Sequence, residues 1–307
     1  MGVPQPAVAV LDAILRVGRR EGWDVSAVYT APVRPSGRGR RFAPSPVRAR
    51  ASDVGIPILT PERLGNPGEQ ARFRELGADL VVVAAYGLLL PTPFLYEPRL
   101  GAVNVHPSLL PRHRGAAPVV GAILADDNKT GASLIVMDEG LDTGPLLAQR
   151  SIPLTGAERA PELTAHLFGL GAAMLEEVLP EYVGGRLKPV PQPAEGATLT
   201  KRMSKSDGVI DWREDAELIA RKVRAYAPWP GTATTWKGRR LAVVAAEPRD
   251  AEGLAPGQTA LVGGRTLVGA GAGALQLLRV KLEGRPETGI DEFVRGHGGF
   301  LGAQLPS

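Results

Sequence analysis

The sequence predicts a two-part chain: an α/β domain built on a doubly wound, mostly parallel sheet, followed by a small β-barrel of oligonucleotide-binding type. Three observations predict it. Strand-like apolar runs alternate with helix-like segments through the first half; a proline-dotted stretch breaks the pattern at about residues 186–200; and the last third consists of short strands parted by Gly and Pro turns. A length of 307 residues fits two domains. The expected boundaries are 1–184 for the α/β domain, 185–203 for a linker and 204–307 for the barrel.

Val8–Arg20 reads as an amphipathic helix, with Val10, Leu11, Ile14, Leu15 and Val17 on one side and arginines at its end, where the helix dipole favours cations. Asp24–Thr30 reads as a strand, Val47–Val54 as a helix and Ile56–Leu59 as a short strand. Pro67–Gly77 reads as a helix capped by Asn66, with Pro67 in its first turn. Asp79–Ala85 is a continuous apolar run of the kind that a parallel sheet buries on both faces. Ala102–His106 predicts a further strand, and Pro118–Asp127 a helix. Ala132–Met137 and Leu146–Leu154 then suggest a hairpin about a polar loop, followed by a long helix over Pro161–Val183 that stops at Gly184-Gly185. In the last third, strands are expected at Leu241–Ala246, Gln258–Val262, Thr266–Gly269 and Leu275–Lys281.

Composition narrows the function classes. With 44% hydrophobic and 22% charged residues the chain reads as an ordinary globular protein. No apolar run approaches the roughly 18 residues of a membrane span, and the N-terminus lacks the pattern of a secretory leader, so a cytoplasmic location is expected; the chain is also expected to be a monomer. The absence of cysteine removes disulfides, thiolate metal sites and cysteine nucleophiles together. The four histidines show no ligand spacing, so no metal is expected. The net charge of +4 hints at an anionic partner, and its placement matters more than its size.

The densest chemistry lies in Asn104-Val105-His106-Pro107-Ser108-Leu109-Leu110-Pro111-Arg112-His113-Arg114-Gly115. Residues two apart on a strand share a face, so Asn104 and His106 point the same way near the C-terminal end of a strand, where open α/β sheets take ligands. An amide donor beside an imidazole suits a carbonyl oxygen becoming an oxyanion. Taken alone, the pair is equally at home in a turn and a packed core. Asp142, in Asp138-Glu139-Gly140-Leu141-Asp142-Thr143-Gly144, fits an ordinary turn as well as a carboxylate that orients His106.

Together these segments resemble the folate-dependent formyltransferase family. The Ser108–Gly115 stretch with Ala116-Ala117-Pro118, the segment Met137–Gly144, and Ala85-Tyr86-Gly87-Leu88-Leu89-Leu90-Pro91 match its patterns, as do Asp211-Trp212 and Pro228-Trp229-Pro230-Gly231 in the second half. The likeness runs in order across nearly the whole chain. It implies that Asn104, His106 and Asp142 are the catalytic trio. It also implies that Ser108, Leu109, Leu110 and Pro111 form part of the folate site, with the Tyr86, Gly87 and Leu88 backbone lining the pterin pocket. The implied co-substrate is 10-formyltetrahydrofolate. Its formyl carbon would be attacked by the substrate's amine, with Asn104 and a protonated His106 on the oxyanion.

Members of such a family act on different amines, so the acceptor needs its own signal. Between Ala31 and Arg50 stand six arginines (Arg34, Arg38, Arg40, Arg41, Arg48, Arg50) and no acid. A solvated basic loop would look the same. The resemblance implies instead a loop that contacts a tRNA acceptor stem, with Arg38 foremost and Arg40 and Arg41 on phosphates, and hence initiator methionyl-tRNA as the partner. Lys201, Arg202 and Lys205 form a second basic cluster able to track phosphates. Trp229 reads as a core or hinge residue.

The chain also departs from the family. Relatives begin with a buried strand that is not found ahead of Met1-Gly2-Val3-Pro4-Gln5-Pro6, and Val3, Gln5 and Pro6 replace the usual Thr, acid and Phe. Val33 stands where an Asp is usual. A late start or a weakened variant would each account for the strand, and either way a gapped sheet with open edges is expected.

Overall fold

A computed structural model describes residues 1–36 and 41–307. The chain forms two compact units, one comprising residues 1–118, 129–153 and 163–200, the other 119–128, 154–162 and 201–307.

The first unit opens with α1 (Pro6–Glu21), which carries proline in its first turn and ends on Gly22 in the left-handed conformation (φ 74°). There follow β1 (Val28–Tyr29), a short hairpin of β2 (Arg34–Ser36) and β3 (Arg41–Ala43), α2 (Pro46–Asp53), β4 (Ile58–Leu59) and α3 (Pro67–Glu75). Ser45 caps α2 by accepting from the Arg48 amide at 3.0 Å. Asn66 caps α3, as expected, accepting from the Gly68 amide at 2.8 Å. Next in the chain come β5 (Val81–Val83), α4 (Thr92–Tyr96), β6 (Ala102–His106), β7 (Arg114–Gly115), α5 (Pro118–Leu124), β8 (Lys129–Val136), β9 (Leu146–Pro153), α6 (Ala160–Val183) and β10 (Leu199–Thr200), of which α5 beyond Pro118 and the first residues of α6 belong to the second unit.

The central sheet runs β5-β6-β8-β9, with β5 parallel to β6 and the last two strands antiparallel. Parallel β1 and β4 extend it through Gly2, whose amide donates to Tyr29 O and which bridges Ala84. Apolar residues pack on both faces. Val103 and Val105 of β6 join Val10 and Leu11 of α1 and Leu175 of α6, whereas Ala102 joins Tyr29, Phe73 and Phe94. Helices on both faces of a mostly parallel sheet are the doubly wound arrangement the alternation predicts.

The sheet has a gap. Among the described residues, Met1 and Gly2 are those that lie between β1 and β5, and the cleft beyond Met1, about 520 Å³, is lined by Val25, Ala27, Leu80, Val82, Leu11 and Ile14, among others. The strand expected over Asp24–Thr30 is accordingly cut to Val28–Tyr29. Among the described residues none pairs with residues 24–27 to complete a ladder, and a strand persists only where its backbone groups are paired.

The segment expected as a linker, 185–203, is hydrogen-bonded into the first unit through residue 200. Val190 bridges Leu146, and β10 pairs in parallel with β7. The second unit adds a short 3₁₀ turn (Lys205–Gly208), α7 (Ala216–Ala225), β11 (Thr232–Trp236), β12 (Arg239–Arg249), β13 (Thr259–Val262), β14 (Arg265–Gly269), β15 (Ala274–Leu282), β16 (Thr288–Gly289) and α8 (Ile290–Gly296). Its antiparallel sheet has the order β11-β12-β15-β14-β13, with β16 on β15. The tail ties the two edges together: Leu305 N donates to Gly257 O before β13, and Thr234 Oγ1 of β11 donates to Pro306 O. Trp212, Phe293 and Phe300 are fully buried in its core. Trp229, expected in a core or hinge, is half exposed, at 49%, and so is not a core residue.

Candidate active site

Alternation along β6 sends Val103 and Val105 into one core and leaves Asn104 and His106 on the opposite face. Pairing fixes their level in the sheet: Asn104 lies opposite Val83 and Ile135, and His106 opposite Ser133. Asp142 reaches them from the loop between β8 and β9. One carboxylate oxygen, Oδ1, accepts from Asn104 Nδ2 at 3.4 Å and lies 3.5 Å from His106 Nδ1. The other, Oδ2, accepts from the Gly115 amide at 2.7 Å. Two side chains of β6 and the Gly115 backbone amide thus meet around a single carboxylate from a distant part of the sequence.

Gly115 is suited to that contact by its lack of a side chain. Its φ of 107° belongs to a region that favours glycine, and a Cβ there would stand 2.4 Å from Thr200 O. Asp142 is itself left-handed, at φ 54°.

His106 is buried, and its Nε2 lies 3.0 Å from His113 O. A carbonyl oxygen only accepts, so Nε2 carries the hydrogen and Nδ1 is turned to Asp142. Burial pushes the imidazole pKa below its usual value; the Asp142 charge and the His113 carbonyl oppose this without overcoming it. The ring therefore rests neutral, where the sequence suggested a standing imidazolium. Nδ1 is the nitrogen left to take a proton, beside a carboxylate that would stabilise the cation.

The Ser108–Pro111 loop follows directly from β6 and is held from beneath. Ser133 Oγ of β8 donates to Ser108 O at 2.6 Å and accepts from Leu110 N at 3.1 Å. Gln149 of β9 donates to Leu110 O at 2.7 Å, and Ser108 Oγ donates to Arg112 O at 2.7 Å. Ser108 and Leu110 are buried, with Leu109 and Pro111 partly open. Tyr86 turns its ring into the core with Tyr29, Phe73 and Phe94, while Gly87 and Leu88 stay exposed after β5. This segment leaves β5 at the same end of the sheet at which His106 closes β6.

Of the basic residues, Arg38 and Arg40 lie outside the described residues, and Arg41 opens β3, paired with Ser36. Lys201, Arg202 and Lys205 are exposed in the second unit, with Lys201 Nζ 3.5 Å from Asp207. Among the described residues no cluster of three or more His, Cys, Asp or Glu is arranged to hold a metal ion.

Comparisons with known proteins decide the family. A family model described as formyl transferase matches residues 6–179, and one described as formyl transferase, C-terminal domain, matches residues 202–298. The methionyl-tRNA formyltransferase of Acidiphilium cryptum is 42% identical over 306 residues, covering 99% of this chain and 98% of its own length. That of Myxococcus xanthus is 43% identical over 298 residues, covering 97% and 94%. The chain belongs to the methionyl-tRNA formyltransferase family.

Solved formyltransferase structures share the fold. WlaRD, a sugar 3N-formyl transferase studied with dTDP and 5-N-formyl-THF, superposes with a TM-score of 0.65 at 15% identity, over 93% of this chain and 97% of its own. Methionyl-tRNA formyltransferase from Clostridium thermocellum gives 0.50 at 21% identity, over 63% and 82%. In this family member, sequence reasoning missed what surrounds the trio: the Gly115 amide, the His113 carbonyl and the supporting pair Ser133 and Gln149. Gly115 lay inside a quoted motif. Ser133 and Gln149 carried no signal, because their role depends on strand pairing.

Proposed function

We infer that this chain transfers the formyl group of 10-formyltetrahydrofolate to the α-amine of methionyl-tRNA. The observation that carries the reading is the Asp142 carboxylate lying between Asn104 Nδ2 and His106 Nδ1 on one face of β6, in a chain of this family. The amine nitrogen attacks the formyl carbon, whose oxygen becomes an oxyanion; the bond from that carbon to the folate nitrogen then breaks, and the folate nitrogen is protonated. Asn104 donates one amide hydrogen to Asp142 and keeps a second for the oxyanion. The proton lost by the amine passes to the His106–Asp142 pair, directly or through water, so the imidazolium forms during the reaction. No nucleophile from the protein is needed.

Backbone groups of Ser108–Pro111, fixed by Ser133 and Gln149, suit a rigid planar ligand. Lys201, Arg202 and Lys205, with the Arg38, Arg40 and Arg41 loop, supply cations for RNA phosphates. The reading places the reaction in the cytoplasm, where aminoacylated initiator tRNA is available. The test is formylation of charged initiator tRNA against glycinamide ribonucleotide, each with 10-formyltetrahydrofolate. Formylation of the tRNA, with a large loss of turnover in His106→Ala, is expected. Preference for the small amine, or an unchanged rate in His106→Ala, would overturn the reading.

A further inference from the structure

The stretch expected to be a plain linker crosses the back of the reacting centre. It is pinned at one end by Leu146 N to Val190 O (2.7 Å) and Val190 N to Leu146 O (2.8 Å), beside the end of the Asp142 loop. At the other end Arg114 N donates to Thr198 O (2.9 Å) and Thr200 Oγ1 to Arg114 O (2.9 Å), beside Gly115. Gln192 lies between these anchors. Its Nε2 donates to Asp142 O and to Gly144 O, both at 2.8 Å. Its Oε1 accepts from Arg114 Nη2 at 2.7 Å and from Nε at 3.2 Å. The amide orientation follows from its surroundings. Turned over, it would set an oxygen against two carbonyl oxygens and an NH₂ against a guanidinium.

We propose that Gln192 is a positioning residue for formyl transfer, clamping the Asp142 loop so that the carboxylate meets Asn104, His106 and Gly115 together. The proposal rests on the reading of Asp142 above. Asp142 needs such a clamp because it holds a left-handed conformation (φ 54°) that a non-glycine residue keeps only where its surroundings over-determine it. Gln192 grips that residue's own carbonyl and the carbonyl two residues on. Gly115 fixes the carboxylate from the other side at 2.7 Å, and Arg114, the residue before it, holds Gln192. One side chain therefore ties together the two loops that position the carboxylate. Loss of the clamp would displace Asp142 without removing any group that touches substrate, so turnover should fall more than binding.

The experiment is a double-mutant cycle on the full chain, with 10-formyltetrahydrofolate and charged initiator tRNA as substrates. Gln192→Leu should lower kcat about tenfold to a hundredfold, the scale of a misplacement near 1 Å, with KM for the folate little changed. In an Asp142→Asn background, whose residual rate is read with excess enzyme, the same substitution should cost little further, because it acts through Asp142. Gln192→Glu is the second variant. It keeps an acceptor for Arg114 but opposes two carbonyl oxygens with a carboxylate, so it should lose kcat while its thermal unfolding stays cooperative. It decides the matter should Gln192→Leu fail to fold. Normal kcat in the Gln192 variants beside a slow Asp142→Asn would overturn the proposal and leave the site reading intact. Equal fractional losses in both backgrounds would also overturn it, marking Gln192 as support for the fold alone. Full activity in Asp142→Asn would remove the site reading itself.

Discussion

At the scale of single residues, Asn104, His106 and Asp142 do different work, and their surroundings set the division. Asn104 is a donor whether or not a proton moves, so Asn104→Ala should lower turnover by about 10²–10³, the usual effect of losing one oxyanion donor. His106 acts as a base only while neutral. Its pKa is pushed down by burial and pulled up by Asp142, so the acid limb of the kcat/KM profile, which reports the free enzyme, should lie below pH 6.5, with rate rising as pH rises through it. Removing the negative charge in Asp142→Asn takes away the pull, and the limb of the residual activity should move to still lower pH. A pH–rate series on both proteins checks this. A limb above pH 6.5 in the parent, or an upward shift in the variant, would contradict the assignment of Nδ1 as the proton acceptor.

At the scale of elements, the loop that follows β6 owes its shape to strands far along the chain. Ser133 and Gln149 stand opposite each other on β8 and β9 and together hold Ser108 O, Leu110 N and Leu110 O. In Ser133→Ala the buried Leu110 amide loses its acceptor and Ser108 O its donor, a loss of about 1–3 kcal/mol for each group left unsatisfied. Steady-state kinetics and a denaturant melt should then show a raised KM for the formyl-folate and lower stability, with kcat less affected. An unchanged KM would separate this loop from folate binding. The example also shows what a sequence can reveal. Ala102–His106 is observed with the bounds its pattern predicts, because both neighbours pair along its length and periodicity is then a faithful guide. The Asn66 cap was legible for the same local reason. α7 and α8, by contrast, sit among the Gly and Pro turns of the last third and were not recognised, although α7 buries Ile219, Ala220 and Val223 on one face. Residues 186–200 looked like a linker because three prolines and few apolar side chains carry no strand pattern, yet backbone pairing to Leu146 and Arg114 binds them to the sheet. Asn104 and His106 shared a face by strand geometry alone. Asp142 stood 36 residues beyond His106 in a turn-like loop, and only the fold brings its carboxylate to them.

At the scale of the whole molecule, the burial of His106 ties the stability of the fold to pH. The folded chain keeps the imidazole neutral below its usual pKa of 6.5, because burial lowers that value more than Asp142 and the His113 carbonyl raise it. The unfolded chain protonates the same ring at pH 6.5 and below. Its contribution to stability is therefore fully present above pH 6.5 and is lost as pH falls through the folded value. Denaturant midpoints measured at pH 8, 6.5 and 5 should fall across the lower interval. In His106→Asn the side chain still offers a donor toward His113 O but does not titrate, so the part of the fall that belongs to this group should disappear. An unchanged fall in the variant would mean that the folded chain does not hold the imidazole neutral, and the base assigned to Nδ1 would then start the reaction already protonated.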